Sequence, residues 1–320
     1  MDSSQVYRHK LTNIVHSVVL IGAMIGLLGL LGWLLAGLNG LIWTAVIGAL
    51  FFVLAPRISP AMILKMYHAR LIEPHAATHL YEIVRELTRR AELPAVPRIH
   101  YLPSRVMNAF TMGRPTESVI VLSDGLLRAM KPRELLGVVA HEISHIANND
   151  MWVMALADVV SRITSALSTI GQFMLLISLP LVVFGAAPIS LLGVAALIIV
   201  PTLTGLLQLA LSRTREFDAD LGAATLTGDP HGLASALRKL EAYQGHWWER
   251  VLLPGRKVPE PSLLRTHPPT EDRVERLLSL VPDSREPPTR LPSGSQPRIP
   301  RELLARDLRV PRRHMTGLWY

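Results

Sequence analysis

The sequence predicts an α+β protein that combines four transmembrane helices, arranged as two hairpins, with a mainly helical cytoplasmic domain containing a small β-sheet. Of the 320 residues, 49% are hydrophobic and only 18% are charged, and the mean hydropathy is +0.30. Soluble domains of this size usually carry more charge. Two stretches, 11–56 and 163–212, contain no Asp, Glu, Lys or Arg. Since a spanning helix needs about 20 apolar residues, each stretch can supply two spans.

Each apolar stretch contains a group of turn-forming residues where a hairpin can reverse. These groups lie at 37–40 within the first hairpin, 11–56, and at 185–188 within the second hairpin, 151–212. Both predicted turns are uncharged, whereas basic residues flank the outer ends of the hairpins: Arg8, Lys10, Arg57, Lys65, Arg70, Arg162, Arg213 and Arg215. The positive-inside rule therefore predicts a multi-pass membrane protein with both termini in the cytoplasm.

The net charge of +8 does not predict a nucleic-acid partner. Half of this excess lies after Pro282, where eight Arg residues accompany four acidic residues in a Pro-rich segment. Attraction to an anionic lipid surface explains this distribution, and the sequence contains no basic motif interleaved with aromatic residues. We expect the tail, 282–320, to be disordered, with a short amphipathic helix at 301–310. The chain contains no cysteine, which fits any redox compartment.

The predicted cytoplasmic domain has two parts, 57–150 and 213–281, separated by the second hairpin. Helical periodicity, Pro at helix starts and runs rich in β-branched residues predict its elements. In the first part these are a helix at 74–91, strands at 98–102 and 118–122, a third strand at 108–111, expected at an edge, and a helix at 132–149. In the second part they are helices at 213–226, 230–243 and 268–281.

The helix at 132–149 carries the motif His141-Glu142-Ile143-Ser144-His145. Side chains four residues apart share a helix face, so the two imidazoles can bind one zinc ion while Glu142 lies beside it. The alternative is an exposed helix face that carries two His and a Glu and binds no metal. Apolar neighbours indicate that this face is buried, where unpaired polar groups are costly. The motif therefore predicts metal-assisted peptide hydrolysis with Glu142 as the base.

A catalytic zinc site needs a third protein ligand, and the segment LALSRTREFDADLGAA at 209–224 offers one. The second hairpin returns Glu216 towards His141 and His145, and one zinc ion per chain is expected. Asp220, one turn beyond Glu216, can accept a hydrogen bond from the far nitrogen of a ligating imidazole. We expect Asp218 to be solvated, and we interpret Arg213 and Arg215 as cytoplasmic anchors of the span.

Four ordered motifs resemble the HtpX-type membrane zinc metalloproteases, relatives of the CAAX prenyl proteases. They are HEISHIANNDM at 141–151, SRTREFDAD at 212–220, NAF at 108–110 and THPPTEDRVERL at 266–277. The resemblance implies a zincin-like protease domain in which His141, His145 and Glu216 bind zinc and Glu142 is the catalytic base. Asn149 stands where family members often have Gly, and the tail has no counterpart.

The resemblance also implies a substrate-binding strand and further active-centre residues. Asn108, Ala109 and Phe110 match an edge strand that pairs with extended substrate. His267 and Arg273 match positions near the active centre, and we predict that they donate hydrogen bonds to the oxyanion. The alternative is a purely structural role, in which His267 caps a helix and Arg273 is exposed. The implied substrates are misfolded membrane proteins or unstructured cytoplasmic segments, and the implied location is the bacterial cytoplasmic (inner) membrane.

Three alternatives remain open at this point. A protease that trims prenylated C-termini is disfavoured, because its intramembrane chamber needs more than four spans. A catalytically idle zinc-binding membrane scaffold is disfavoured because closed structural sites use four ligands, often Cys. His75 and His79 also share a helix face, but Ala76 stands where a catalytic Glu would be needed. We interpret that pair as surface histidines. The sequence makes no prediction about oligomeric state.

Overall fold

The structure, a computed structural model, describes residues 3–54, 60–184, 190–251 and 270–279. Contacts between residues divide the chain into two compact units. The sheet unit comprises Met1–His9, Ile58–Met151 and Arg215–Tyr320, and the apolar unit comprises Lys10–Arg57 and Trp152–Thr214. The tail at 282–320, with the helix predicted at 301–310, and the turn predicted at 185–188 lie outside the described residues.

The described chain is mostly helical and contains one small mixed sheet, as predicted. In chain order, the elements are α1 (Ser3–Leu54), α2 (Pro60–Met66), β1 (Arg70–Leu71), α3 (Thr78–Arg90), β2 (Arg98–Leu102), β3 (Ala109–Arg114), β4 (Glu117–Ser123), α4 (Asp124–Ala129), α5 (Pro132–Ala147), α6 (Asp150–Val183), α7 (Leu191–Thr227), α8 (Pro230–Val251) and α9 (Thr270–Ser279).

Most predicted elements are present, with two differences that concern helix starts. The helix predicted at 74–91 begins only at Thr78. The helix predicted at 213–226 is not a separate element, because α7 continues through Ser212 and Arg213 without a break. No Gly or Pro lies between Leu206 and Asp220 to end a helix. The same helix is therefore both an apolar span candidate and the carrier of Glu216.

Three helices of the described chain are long and apolar enough to cross a membrane, namely α1, α6 and α7. The first of them reverses direction at Ala36 and Gly37, close to the predicted turn. Both residues have non-helical backbone angles, and Gly37 has a φ of 59°, which glycine tolerates best. A Cβ added to Gly40 would lie 1.9 Å from the carbonyl oxygen of Gly32, so the two segments pack as a tight hairpin.

A proline in α7 is accommodated by polar side chains of α6. Pro201 has no N–H, so it cannot donate to the carbonyl of Leu197 one turn earlier. The Ser168 hydroxyl donates to this carbonyl, and the Gln172 amide donates to it at 3.1 Å. Within the apolar unit, these bonds join α6 to α7 where unsatisfied backbone groups would be costly.

The sheet has the strand order β1-β2-β4-β3, with β2 and β4 parallel and the other neighbours antiparallel. The prediction of a third strand at an edge is confirmed, because among the described residues β3 pairs only with β4. One face of the sheet packs on α3 and α5 around Tyr101, Ile120 and Ile143, all fully buried. This core fixes α5, the helix with the HExxH motif, beneath the sheet.

The start of α5 is held by a buried carboxylate. Glu134 accepts hydrogen bonds from the backbone N–H of Lys131 at 2.8 Å, Ser235 Oγ at 2.8 Å and Lys239 Nζ at 2.7 Å. Burial alone would raise the pKa of Glu134, but these donors outweigh it and lower the pKa. Because Ser235 and Lys239 belong to α8, Glu134 both caps α5 and joins the two helices.

Candidate metal centre

The two histidines of the motif lie on the buried face of α5, each with one nitrogen directed at the other. Their Nε2 atoms are 3.1 Å apart, and their rings are nearly perpendicular, at 87°. In both rings the Nδ1 atom faces a carboxylate, which assigns the ring proton to Nδ1. The two Nε2 atoms therefore face each other in a desolvated pocket, where a single proton or metal ion between them would relieve the repulsion of their lone pairs.

The third predicted ligand lies beside both imidazoles. Glu216 Oε2 is 3.5 Å from His141 Nε2, and Oε1 is 3.7 Å from His145 Nε2. Ligand atoms around a tetrahedral zinc ion, with bonds of about 2.0–2.1 Å, lie about 3.3 Å from one another. The observed separations of 3.1, 3.5 and 3.7 Å bracket this value. Among the described residues, His141, His145 and Glu216 form a group of three compatible with one metal ion.

Asp220 lies behind His141, as its spacing from Glu216 predicted. Its Oδ1 atom is 3.0 Å from His141 Nδ1, an ion-pair distance, although the ring N–H finds no well-aligned acceptor. Asp220 is itself held by Arg273 of α9, whose Nε and Nη2 atoms both donate to it at 2.7 Å. Arg273 Nη1 also lies 3.1 Å from Glu216 Oε2. The helix predicted at 268–281 thus brings a cation to the centre, whereas His267 lies outside the described residues.

His145 has a carboxylate partner that sequence reasoning missed. Asp150 Oδ2 lies 2.8 Å from His145 Nδ1, and Asp150 is only 3% exposed. Between them the chain leaves α5 and turns at Asn149, which has a φ of 54°. Asn tolerates this left-handed conformation. An Asn-Asp pair directly after the motif helix was the available signal, since a left-handed residue there folds the next side chain back.

The carboxylates dominate the electrostatics of the centre. Burial opposes a charged imidazole, but Asp220 and Glu216 outweigh it and raise the pKa of His141 to about 10. Burial also opposes the charge of Arg273, yet Asp220, Glu216 and Glu142 together raise its pKa. The pocket therefore favours a positive charge between the imidazoles. A metal ion would satisfy the same field after displacing the proton.

The remaining predicted site residues lie on the same unit. Glu142 is 7% exposed and follows His141 on α5, and its charge acts on Arg273. Ala109 and Phe110 are half-buried at the start of β3, next to α5. Asn108 precedes the strand. Its backbone N–H donates to Ser123 Oγ at 2.8 Å, and its backbone carbonyl accepts a hydrogen bond from the Ser123 N–H at 3.0 Å.

Two interpretations of the acidic segment were wrong. Asp218 is not solvated, and Arg215 is not an exposed anchor, because they are 5% and 6% exposed. Arg215 Nη1 lies 3.2 Å from Asp150 Oδ1, and Nη2 lies 3.2 Å from Asp218 Oδ2. The sequence places them beside an apolar run, but packing within the sheet unit buries this turn of α7. Arg213, by contrast, is exposed.

The second histidine pair does not assemble a site within the described residues. His79 Nδ1 lies 3.7 Å from Glu82 Oε2, one turn along α3. Neither His75 nor His79 joins a group of three potential ligands in the described ranges. The pair is consistent with its interpretation as surface residues.

Comparison with known proteins identifies the family. Residues 74–281 match the model of peptidase family M48. The chain belongs to this family. The matched region includes both motif histidines, Glu216 and Arg273, and family membership makes the chain a metalloprotease.

Curated relatives of this M48 chain cover most of its length. The three described next all bear the name Protease HtpX homolog. The protein of Methylibium petroleiphilum is 32% identical over 84% of this chain and 98% of its own. That of Acaryochloris marina is 36% identical over 82% and 90%, and that of Pyrococcus furiosus is 35% identical over 83% and 96%. The crystal structure of S. mikatae Ste24p is 20% identical, covers 85% of this chain and 67% of its own, and has a TM-score of 0.48.

The contact between Gly222 and Ser144 generates a prediction about this M48 centre. A Cβ added to Gly222 would lie 2.5 Å from Ser144 Oγ and 2.9 Å from Ser144 Cβ. Gly222→Ala should therefore push α7 away from α5, destabilise the protein by about 1–3 kcal/mol and weaken metal retention. Thermal unfolding in detergent and metal analysis after dialysis measure both effects.

The matched variants separate this contact from helix propensity. Ser144→Gly removes both obstructing atoms, so the Gly222→Ala/Ser144→Gly double variant should regain most of the lost metal. Gly205→Ala makes the same change on the same helix where no atom lies within 4 Å of the added Cβ, and it should retain metal fully. Equal metal loss in the double variant and in Gly222→Ala would contradict the packing argument.

Proposed function

We propose that this chain is a zinc-dependent endopeptidase that hydrolyses peptide bonds of misfolded membrane proteins or unstructured cytoplasmic segments. The observation that carries the proposal is the group formed by His141, His145 and Glu216. Two imidazole nitrogens and one carboxylate suit a catalytic zinc ion, which uses three protein ligands and keeps one position for water. The absence of cysteine from the sequence argues against the usual closed structural site.

Each residue of the centre has a distinct proposed role. His141, His145 and Glu216 would hold the ion, which when bound lowers the pKa of a water molecule and polarises the scissile carbonyl. Glu142 removes a proton from the attacking water and delivers it to the amide nitrogen as the C–N bond breaks. His267 and Arg273 remain the proposed donors to the oxyanion, Arg273 because it lies against Glu216.

The edge strand supports the proposed substrate class. Because β3 has β4 as its one strand neighbour within the described part of the chain, its outer edge can accept an added strand. Recognition of this kind uses backbone groups, so it requires an extended segment and discriminates weakly among side chains. We propose that Asn108, Ala109 and Phe110 mark the part of the edge nearest α5. Folded proteins do not offer such segments, whereas unfolded or misfolded chains do.

We further propose four membrane crossings with both termini and the metal centre on the cytoplasmic side. The reversal in α1 provides two apolar segments, and α6 and α7 provide two more. The basic residues beside these segments support the orientation. Relatives named Protease HtpX homolog share most of the chain, which supports membership of a membrane protease group.

The Glu142→Gln variant tests the catalytic proposal against an idle zinc scaffold. It should bind one zinc ion per chain but lose cleavage of casein by at least about 100-fold, because an amide cannot accept the water's proton. Zinc content is measured by atomic absorption, and cleavage is measured in detergent. Glu216→Gln is the control and should lose both zinc and activity. A wild-type protein that holds zinc but cleaves no unfolded protein would support the scaffold instead.

Cysteine labelling tests the four crossings, since the chain has no cysteine of its own. Single substitutions Leu38→Cys and Phe184→Cys, at positions 68% and 84% exposed, mark the two hairpin turns. In cells whose outer membrane has been removed and whose inner membrane is intact, an impermeant maleimide should label both Leu38→Cys and Phe184→Cys. Glu82→Cys on α3 should be labelled only after the membrane is permeabilised. Labelling of Glu82→Cys before the inner membrane is permeabilised would contradict the proposed orientation.

A further inference from the structure

We propose that Arg215 is a positioning residue of the metal centre, acting on His145 through Asp150. The inference rests on the proposed zinc site and adds a residue that coordinates nothing itself. Arg215 precedes Glu216 on α7, and its side chain is 7% exposed. Its neighbour Arg213 is exposed to solvent, so the two arginines have different environments despite their spacing.

The Asp150 carboxylate connects the arginine to the ligand. One oxygen, Oδ2, lies 2.8 Å from His145 Nδ1, and the other, Oδ1, lies 3.2 Å from Arg215 Nη1. A carboxylate held from both sides has one preferred rotamer, and it fixes the ring proton and the plane of the imidazole. Asp150 follows the left-handed turn at Asn149, so the guanidinium also holds the end of this turn in place.

The geometry of Arg215 suits a guanidinium better than another cation. Nη1 contacts Asp150, and Nη2 lies 3.2 Å from Asp218 Oδ2 on the next turn of α7. A planar guanidinium can reach two separate carboxylates at once, whereas an ammonium is a single point charge. Because Glu216 lies between Arg215 and Asp218 on the same turn, this bridge joins the turn with the third ligand to the segment that orients His145.

Each imidazole is backed by a carboxylate and then by a guanidinium, although the individual contacts differ on the two sides. His141 is backed by Asp220 and then by Arg273, and His145 is backed by Asp150 and then by Arg215. Each arrangement places an imidazole, a carboxylate and a guanidinium in a row within the buried interior. The guanidinium balances a carboxylate that would otherwise carry an uncompensated charge. Arg215 is therefore to His145 what Arg273 is to His141.

Zinc affinity provides the direct test, measured by competition with a chromophoric chelator on the purified full-length protein. Loss of an outer partner of a metal ligand typically weakens binding about 10–100-fold. Arg215→Met should show a loss of this size, and Arg213→Met, with the same change of charge, should stay within about twofold of wild type. Arg215→Lys keeps the positive charge but cannot contact both carboxylates as a planar guanidinium does, so its zinc affinity should lie between those of Arg215→Met and the wild type. Thermal unfolding of the chelator-treated proteins identifies the variants that fold.

A double-variant comparison tests whether Arg215 acts through Asp150. In an Asp150→Asn background, Arg215→Met should weaken zinc binding by much less than it does alone, because the connection to His145 is already lost. If Arg215→Met folds poorly, the same comparison with Arg215→Lys replaces it. Full additivity of the two losses, or wild-type affinity in a folded Arg215→Met protein, would overturn the positioning role alone. A wild-type protein that binds no zinc would overturn the proposed function and this inference together.

Discussion

Two imidazole nitrogens that face each other at 3.1 Å inside a desolvated pocket are the constraint on which the centre depends. Each ring has its other nitrogen against a buried carboxylate, so neither ring can turn away without losing that contact. Glu216 adds a carboxylate oxygen, a third potential metal ligand, beside the two nitrogens. The surrounding carboxylates favour a cation there, and Arg273 and Arg215 behind them balance part of their negative charge.

The fold meets this constraint with few elements. Helix α5 carries both imidazoles and is held by the sheet core and by Glu134. Helix α7 continues from the apolar unit into the sheet unit, and Glu216 is the second residue after that boundary. No loop intervenes between the apolar part of α7 and the ligand. Helix α9 contributes Arg273, which contacts both Asp220 and Glu216.

Local spacing explains which parts of the centre could be predicted from the sequence. Residues four apart on a helix lie on the same face, which was enough to predict the His141–His145 pair and the position of Asp220 one turn beyond Glu216. The role of Asp150 depends on the backbone angle of one residue, Asn149, and side-chain spacing does not encode it. Arg215 and Asp218 were misjudged because an apolar run suggests a membrane surface, whereas tertiary packing buries them. Short elements such as β1 and α2 depend on tertiary contacts and carry no periodic signal.

The central claim is that one zinc ion is shared by ligands from α5 and α7. An anomalous difference map, collected at the zinc absorption edge from crystals of the purified protein, tests it most directly. The account predicts a single peak within about 2.3 Å of His141 Nε2, His145 Nε2 and a Glu216 carboxylate oxygen. A peak bound elsewhere, or one that leaves Glu216 more than about 3 Å away, would contradict it.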